Sequence, residues 1–229
     1  MTRSPSNAAM LLAALAGYID AVAYQSLGGF FASFMTGNVT RLGIGLVTGE
    51  SGVAQLAAAL LLAFLSGVIA GSVVGHAAGH WRAPAAMALV AALIAVAAWV
   101  PIPHPLGPMM LAVAMGAENA AGGREGSPRL GLTYLTGTLV LLGERLAGAM
   151  MRTDTAWHWL APFGMLMGFV AGVVFGAQQF QAAPIRALDL AVAAASALVI
   201  VLALLAAGRR GRGAPTVLVT PSSGPRGNA

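Results

Sequence analysis

Four stretches of this chain carry no Asp, Glu, Lys or Arg: Ser51 to Trp81, Ala83 to Ala117, Thr155 to Ile185 and Leu190 to Gly208. Each approaches or exceeds the roughly 20 apolar residues that cross the hydrocarbon of a bilayer as a helix. A chain built this way has little choice of fold. It is expected to be an all-α, polytopic membrane helical bundle.

Composition agrees. Of the 229 residues, 58% are hydrophobic and only 8% are charged, against about 25% charged in soluble domains. The net charge of +5 comes from Arg alone, because the chain has no Lys. A basic balance can mean nucleic acid, but these Arg residues sit at the ends of apolar runs and in the tail. That is the positive-inside pattern, and no nucleic-acid partner is expected. With no Cys, disulfides, thiol catalysis and Cys-ligated metals are excluded. The Ala, Gly and Arg bias points to a GC-rich bacterial genome, hence to an inner (cytoplasmic) membrane. Arg3 and Ala14-Leu15-Ala16 resemble the ends of a signal peptide. The apolar run continues past Ala16 and has a counterpart in the second half, so it reads as the first span.

That second half repeats the first. Gly67, Gly71, Gly75 and Gly79 form one ridge, and Gly164, Gly168, Gly172 and Gly176 form another. Spacing by four puts each set on one helix face, where missing side chains let backbones approach closely in lipid. The reading is a polar lead over 1–7, then one membrane domain over 8–207. That domain is made of two homologous repeats of about 100 residues, 8–100 and 106–207. A disordered basic tail over 208–229 follows, carrying Arg209, Arg210 and Arg212.

Each repeat contains a polar interruption. The first is Thr36-Gly37-Asn38 with Thr40 and Arg41; the second is Thr136-Gly137-Thr138. If both segments are discontinuous, there are six spans and the repeats are inverted. If both cross, there are eight. Six spans put Arg82, Arg124, Arg129, Arg152 and the tail on one side and Glu50 on the other, with Arg186 the exception. Six spans plus two discontinuous Thr-Gly segments is therefore the preferred topology, with the C-terminal tail cytoplasmic. Gly37 is expected to permit a kink or a left-handed backbone, and Asn38 to cap the half-helix that follows.

Asp20 falls mid-helix, where an acid costs roughly 2.5–3.5 kcal/mol on insertion scales. It reads either as a proton, cation or substrate site, or as a structural lock that caps a broken helix or pairs with Arg41. Glu118-Asn119 aligns with Ile19-Asp20 when Gly17 is set against Gly116. Glu118 is then either interior or part of a charged loop with Arg124 and Glu125. Arg41 reads as an anion contact, a partner for Asp20, or a snorkelling side chain. His76 and His80 have a metal-capable spacing, but no third ligand is near in sequence. They read as interfacial, and no metal or cofactor is expected.

The combination of Gly17-Tyr-Ile-Asp20, Phe34-Met-Thr-Gly-Asn38 and Thr133-Tyr-Leu-Thr-Gly137 resembles the YoaK-like family of small bacterial integral membrane proteins. That family is a domain of unknown function whose members look like possible permeases of roughly six spans. The resemblance implies no substrate. From the residues themselves, the leading expectation is a small permease or secondary transporter. Its solute would bind at the midplane between the two Thr-Gly segments, lined by Asp20, Thr36, Gly37, Asn38, Arg41, Glu118, Asn119, Thr136, Gly137 and Thr138. Six spans leave room for a homodimer. The competing expectation is a non-transporting scaffold, sensor or partner subunit. No catalytic set is recognisable, so an enzyme is not expected.

Overall fold

The computed structural model describes residues 7–100, 104–121, 135–153, 155 and 157–210. The polar lead before Asn7, the Pro101–Pro103 stretch, the Gly122–Arg129 loop with Thr133 and Tyr134, and the tail beyond Arg210 lie outside the described residues.

Among the described residues the regular structure is helical throughout. The order is α1 (Asn7–Ser26), α2 (Met35–Thr48), α3 (Ser51–Ala77), α4 (Arg82–Trp99), α5 (Leu106–Ala121), α6 (Leu135–Met150), α7 (Leu160–Ala182) and α8 (Ala187–Arg210). Five of these, α1, α3, α4, α7 and α8, are long and apolar enough to cross a bilayer, so the chain is embedded in the membrane. The final helix does not stop at Ala207 but continues to Arg210. A single Gly208 costs about 1 kcal/mol relative to Ala, too little to end a long Ala/Leu helix.

Glycines in the left-handed region punctuate the first half. Gly28 (φ 63°) and Gly29 (φ 99°) end α1, and Gly49 (φ 75°) ends α2. Gly37 is ordinary helix. The break lies before the Thr-Gly motif rather than in it, because the glycine pair gives the backbone its sharpest turn at the lowest steric cost. Pro84 sits in the first turn of α4, where its missing N–H is harmless.

The inner helices are α1 and α5. Ala16, Ile19 and Ala23 of α1 and Ala114, Met115 and Ala117 of α5 are buried. The outer helices α3, α7 and α8 expose Leu62, Leu65, Ile69, Val174, Phe175 and Leu204, which suits contact with lipid tails.

The glycine ridges clamp the inner helices. A Cβ on Gly67 or Gly71 would collide with the backbone of Val113 or Ala117 on α5. A Cβ on Gly168, Gly172 or Gly176 would collide with the backbone of Met10, Ala14 or Tyr18 on α1. The inner helices answer in kind, with Gly17 against the Phe169 carbonyl and Gly116 against the Phe64 carbonyl. So α3 grips the inner helix of the second half, and α7 grips that of the first. The residue numbers rise together in both pairs, so each pair is parallel.

One end of the bundle gathers the last turns of α1, α4 and α7 and the first turns of α5 and α8 around a hollow of about 580 Å³. Hence α1, α4 and α7 run toward this end, and α3, α5 and α8 run away from it. The three shorter helices, α2 with 14 residues and α5 and α6 with 16 each, are not among the five candidate spans.

The close approach can be tested at two helical glycines. Gly172→Ala is expected to destabilise the protein by about 1–3 kcal/mol, the usual cost of overpacking. Gly43→Ala, which meets no atom within 4 Å, is expected to be neutral or to gain up to ~1 kcal/mol of helix propensity. Thermal unfolding in detergent separates them. Equal melting shifts would sink the clamp.

Candidate functional site

After α1 the chain turns back into the bundle. Ser26, where α1 ends, lies six residues beyond Asp20, or about 9 Å along the helix. Yet Ala32 and Ser33 return to the side of Asp20. The Ala32 N–H donates to Asp20 Oδ1 at 2.9 Å and the Ser33 N–H donates to the same oxygen at 2.6 Å. The Ser33 hydroxyl donates to Oδ2 at 2.6 Å. An unwound backbone within a membrane must find its partners inside the protein, and here a buried carboxylate supplies them. It also faces the start of α2, where the helix dipole favours negative charge.

Asn38 does the same for the preceding residue. Its Nδ2 donates to the Phe31 carbonyl at 2.7 Å, and its Oδ1 accepts from the Phe31 N–H at 3.1 Å. Asn38 therefore does not cap α2. It lies inside the helix and reaches back, acting as a side-chain imitation of a backbone pair. The residue at the cap position, Phe34, makes no side-chain capping bond. Gly37 is small for a packing reason, because a Cβ there would press on the rings of Phe34 and Phe31. Thr40 returns its hydroxyl to the Thr36 carbonyl at 3.1 Å.

Arg41 is not the partner of Asp20. Its guanidinium lies over the Phe30 ring, 4.7 Å from the centroid, and against Gly29, where a Cβ would strike it. Asp20 already accepts three hydrogen bonds from the turn, and the cation finds an aromatic face instead. Glu118 is interior, fully buried on α5, and does not belong to the charged loop. Asn119 donates to the Met115 carbonyl at 2.8 Å.

The second Thr-Gly segment repeats the first in exposure. Positions 35–44 and 135–144 follow the same order of buried, half-buried and exposed residues, one for one. Asn38 and Thr138 are the buried members, while Thr36 and Thr136 are exposed.

A cleft of about 610 Å³ lies between α1 with the turn before the first segment and the start of the second segment, and Thr36, Gly37, Asn38, Gly137 and Thr138 do not line it. From the first side come Asp20, Tyr24, Ser33 and Phe34; from the second come Leu135, Thr136 and Leu139. Phe169, Val173 and Gln181 of α7 close the wall. Of the residues expected from the sequence, Asp20 and Thr136 line this cleft. Asn38 stands behind it, holding Phe31, which also lines it. Arg41, Glu118 and Asn119 do not line it. Ser33 was not singled out from the sequence. Its signal was available only as a polar residue next to the motif, and its role depends on a turn that brings it back to Asp20. Chemically the cleft is an apolar pocket with a few hydroxyl, amide and carboxylate groups, the usual form of a small-molecule site.

The lock at Asp20 can be measured. Asp20→Ala leaves three donors without an acceptor, and hydrogen bonds to a charged group contribute about 1.5–3 kcal/mol each. A loss of roughly 3–5 kcal/mol is expected after partial relaxation. Asp20→Asn keeps one oxygen for the two backbone N–H groups and is expected to lose less than half as much. Chemical unfolding in mixed micelles compares the two, and equal losses would rule out the lock.

A family model described as a protein of unknown function, DUF1275, matches residues 8–220. A UPF0700 transmembrane protein from Rhizobium meliloti (strain 1021) is 38% identical over 164 residues, covering 71% of this chain and 70% of its own length. No solved structure matches. The resemblance carried by the Gly17–Asp20 and Phe34–Asn38 motifs holds across nearly the whole chain, which is a member of the DUF1275 family of transmembrane proteins of unknown function.

Proposed function

We propose that the protein is a permease or secondary transporter for a small solute, in the bacterial inner membrane. The observation that carries this reading is the cleft walled on one side by Asp20 and the turn that leads into the first Thr-Gly segment, and on the other by Thr136 at the start of the second. Secondary transporters place their sites near the midplane, at the interface of two repeats and beside discontinuous helices. Here the unwound turn over 27–34 and the described start of α6 meet at such a place. The polar contacts for a solute would be the Thr136 hydroxyl, Gln181 and the outer edge of the Asp20–Ser33 pair.

The reading includes six spans, α1, α3, α4, α5, α7 and α8, in two inverted repeats. Opposite directions of α1 and α5 support this, as does the exchange in which each outer glycine helix clamps the other half's inner helix. Setting Gly17 against Gly116 makes Ala14 equivalent to Val113 and Tyr18 to Ala117. Gly172 and Gly67 then touch equivalent residues, and so do Gly176 and Gly71. The ridges thus correspond one helical turn away from the match of their glycines in sequence. Arg82 and Arg152 fall at the end of the bundle where α8 finishes, and Glu50 falls at the other. By the positive-inside rule the first end is cytoplasmic. Parallel repeats with eight spans would instead put Glu50 inside and Arg82 outside.

Because the chain has no Cys, a single introduced thiol reports cleanly. Glu50→Cys is expected to react with a membrane-impermeant maleimide on intact cells, and Arg82→Cys only after permeabilisation. Thr136→Cys is expected to react with a small water-soluble thiosulfonate, since a solute path must be wet. Reaction of Thr136→Cys with lipid-soluble reagents alone would mean the cleft faces lipid, and the permease reading would fail.

A further inference from the structure

Glu118 is the one charged side chain among the described residues that is fully buried with both oxygens lacking a hydrogen-bond partner. Each element packed on α5 can be searched for what might offset it. From α1 comes Asp20, a second buried acid, whose charge could only oppose that of Glu118. From α4 comes Arg82, but its Nη2 donates to the Ala120 carbonyl at 3.5 Å and its Nε has no partner. The stretch of α3 that packs on α5, Phe64 to Gly75, carries no ionisable residue. An isolated ionised carboxylate in such surroundings is too costly to persist. A carboxylic acid removes the charge at once.

The two acids are not alike. Asp20 receives three hydrogen bonds from the turn, each of which favours the ionised form. Its charge is part of the fold. Glu118 receives none. In the register that sets Gly17 against Gly116, Glu118 takes the place of Ile19, which is also fully buried. An acid therefore stands where the other half has an aliphatic side chain, and packing alone gives no reason for it. Metal cations fit poorly here. They need several oxygens, and those of Asp20 are already occupied. A proton needs a single oxygen.

We propose that Glu118 is a proton-binding site at the centre of the bundle, protonated in the arrangement described here and ionised when water reaches it. The proton binds one Glu118 carboxylate oxygen to give the neutral acid. It leaves to water when the two halves part and hydrate α5. This rests on the permease reading, and it makes the proton the coupling ion for movement of the solute. Asp20 then acts by holding the turn and by keeping a fixed negative charge beside Glu118.

Infrared absorption of the purified protein in lipid, at neutral pH, tests the site without knowing the solute. The wild type is expected to show the carbonyl stretch of a protonated carboxylic acid, shifted when water is replaced by D2O. Glu118→Gln, and independently Glu118→Met should the first fold poorly, are expected to lose that band entirely. Absence of the band from the wild type, or its survival in a folded Glu118 variant, overturns the proposal. So does its disappearance when choline chloride is replaced by sodium chloride, which would assign the site to a metal cation. A band that behaves as expected, in a protein whose Thr136→Cys thiol is dry, keeps the proton site and removes the permease.

Discussion

The rest of the structure depends on how a non-helical turn is kept inside the helical bundle. A peptide N–H or C=O without a partner in hydrocarbon costs several kcal/mol. The turn over 27–34 meets that constraint with side chains. Asp20 accepts from Ala32 and Ser33, and Asn38 pairs with both polar groups of Phe31. One acid and one amide thereby fix the point at which α2 begins. They also place Phe31, Ser33 and Phe34 on one wall of the cleft.

The glycine ridges supply the rigidity that this arrangement needs. Lipid tails are as apolar as the outer faces of α3 and α7, so burial of apolar area does little to join helices here. Close backbone approach has to do it. Gly67 and Gly71 sit on α5, and Gly172 and Gly176 sit on α1. Both clamps cross from one half to the other, so the two halves hold each other's inner helix.

Much of the fold was legible in the sequence. Uncharged runs announced the spanning helices, and the four-residue spacing of glycine announced the faces used at Gly67 and Gly71 and at Gly168, Gly172 and Gly176, while Gly79 lies past the end of α3 in a left-handed turn. The two polar interruptions were visible as motifs, and each begins a short helix, at Met35 and at Leu135. What was not legible depended on the path of the turn. Gly37 stood inside the conspicuous motif and was expected to bend it, yet Gly28 and Gly29 do so. Nothing in a Gly-Gly pair says how far the chain will travel back. Ser33 and Asp20 lie 13 residues apart, and their contact exists only once that distance is known. The same holds for Arg41. Its face could be read from helical spacing, but its choice of Phe30 over Asp20 depends on the carboxylate being occupied already.

The two halves share a plan but divide its chemistry unequally. Asn38 holds a turn in the first half, while the equivalent buried position in the second is Thr138, a shorter side chain that cannot span both polar groups of a peptide. Asp20 stands opposite Asn119, and Ile19 opposite Glu118. The first half therefore carries an acid held by three hydrogen bonds. The second carries an acid with no bonds to fix it. The locked acid and the unbonded acid thus stand on different inner helices, Asp20 on α1 and Glu118 on α5.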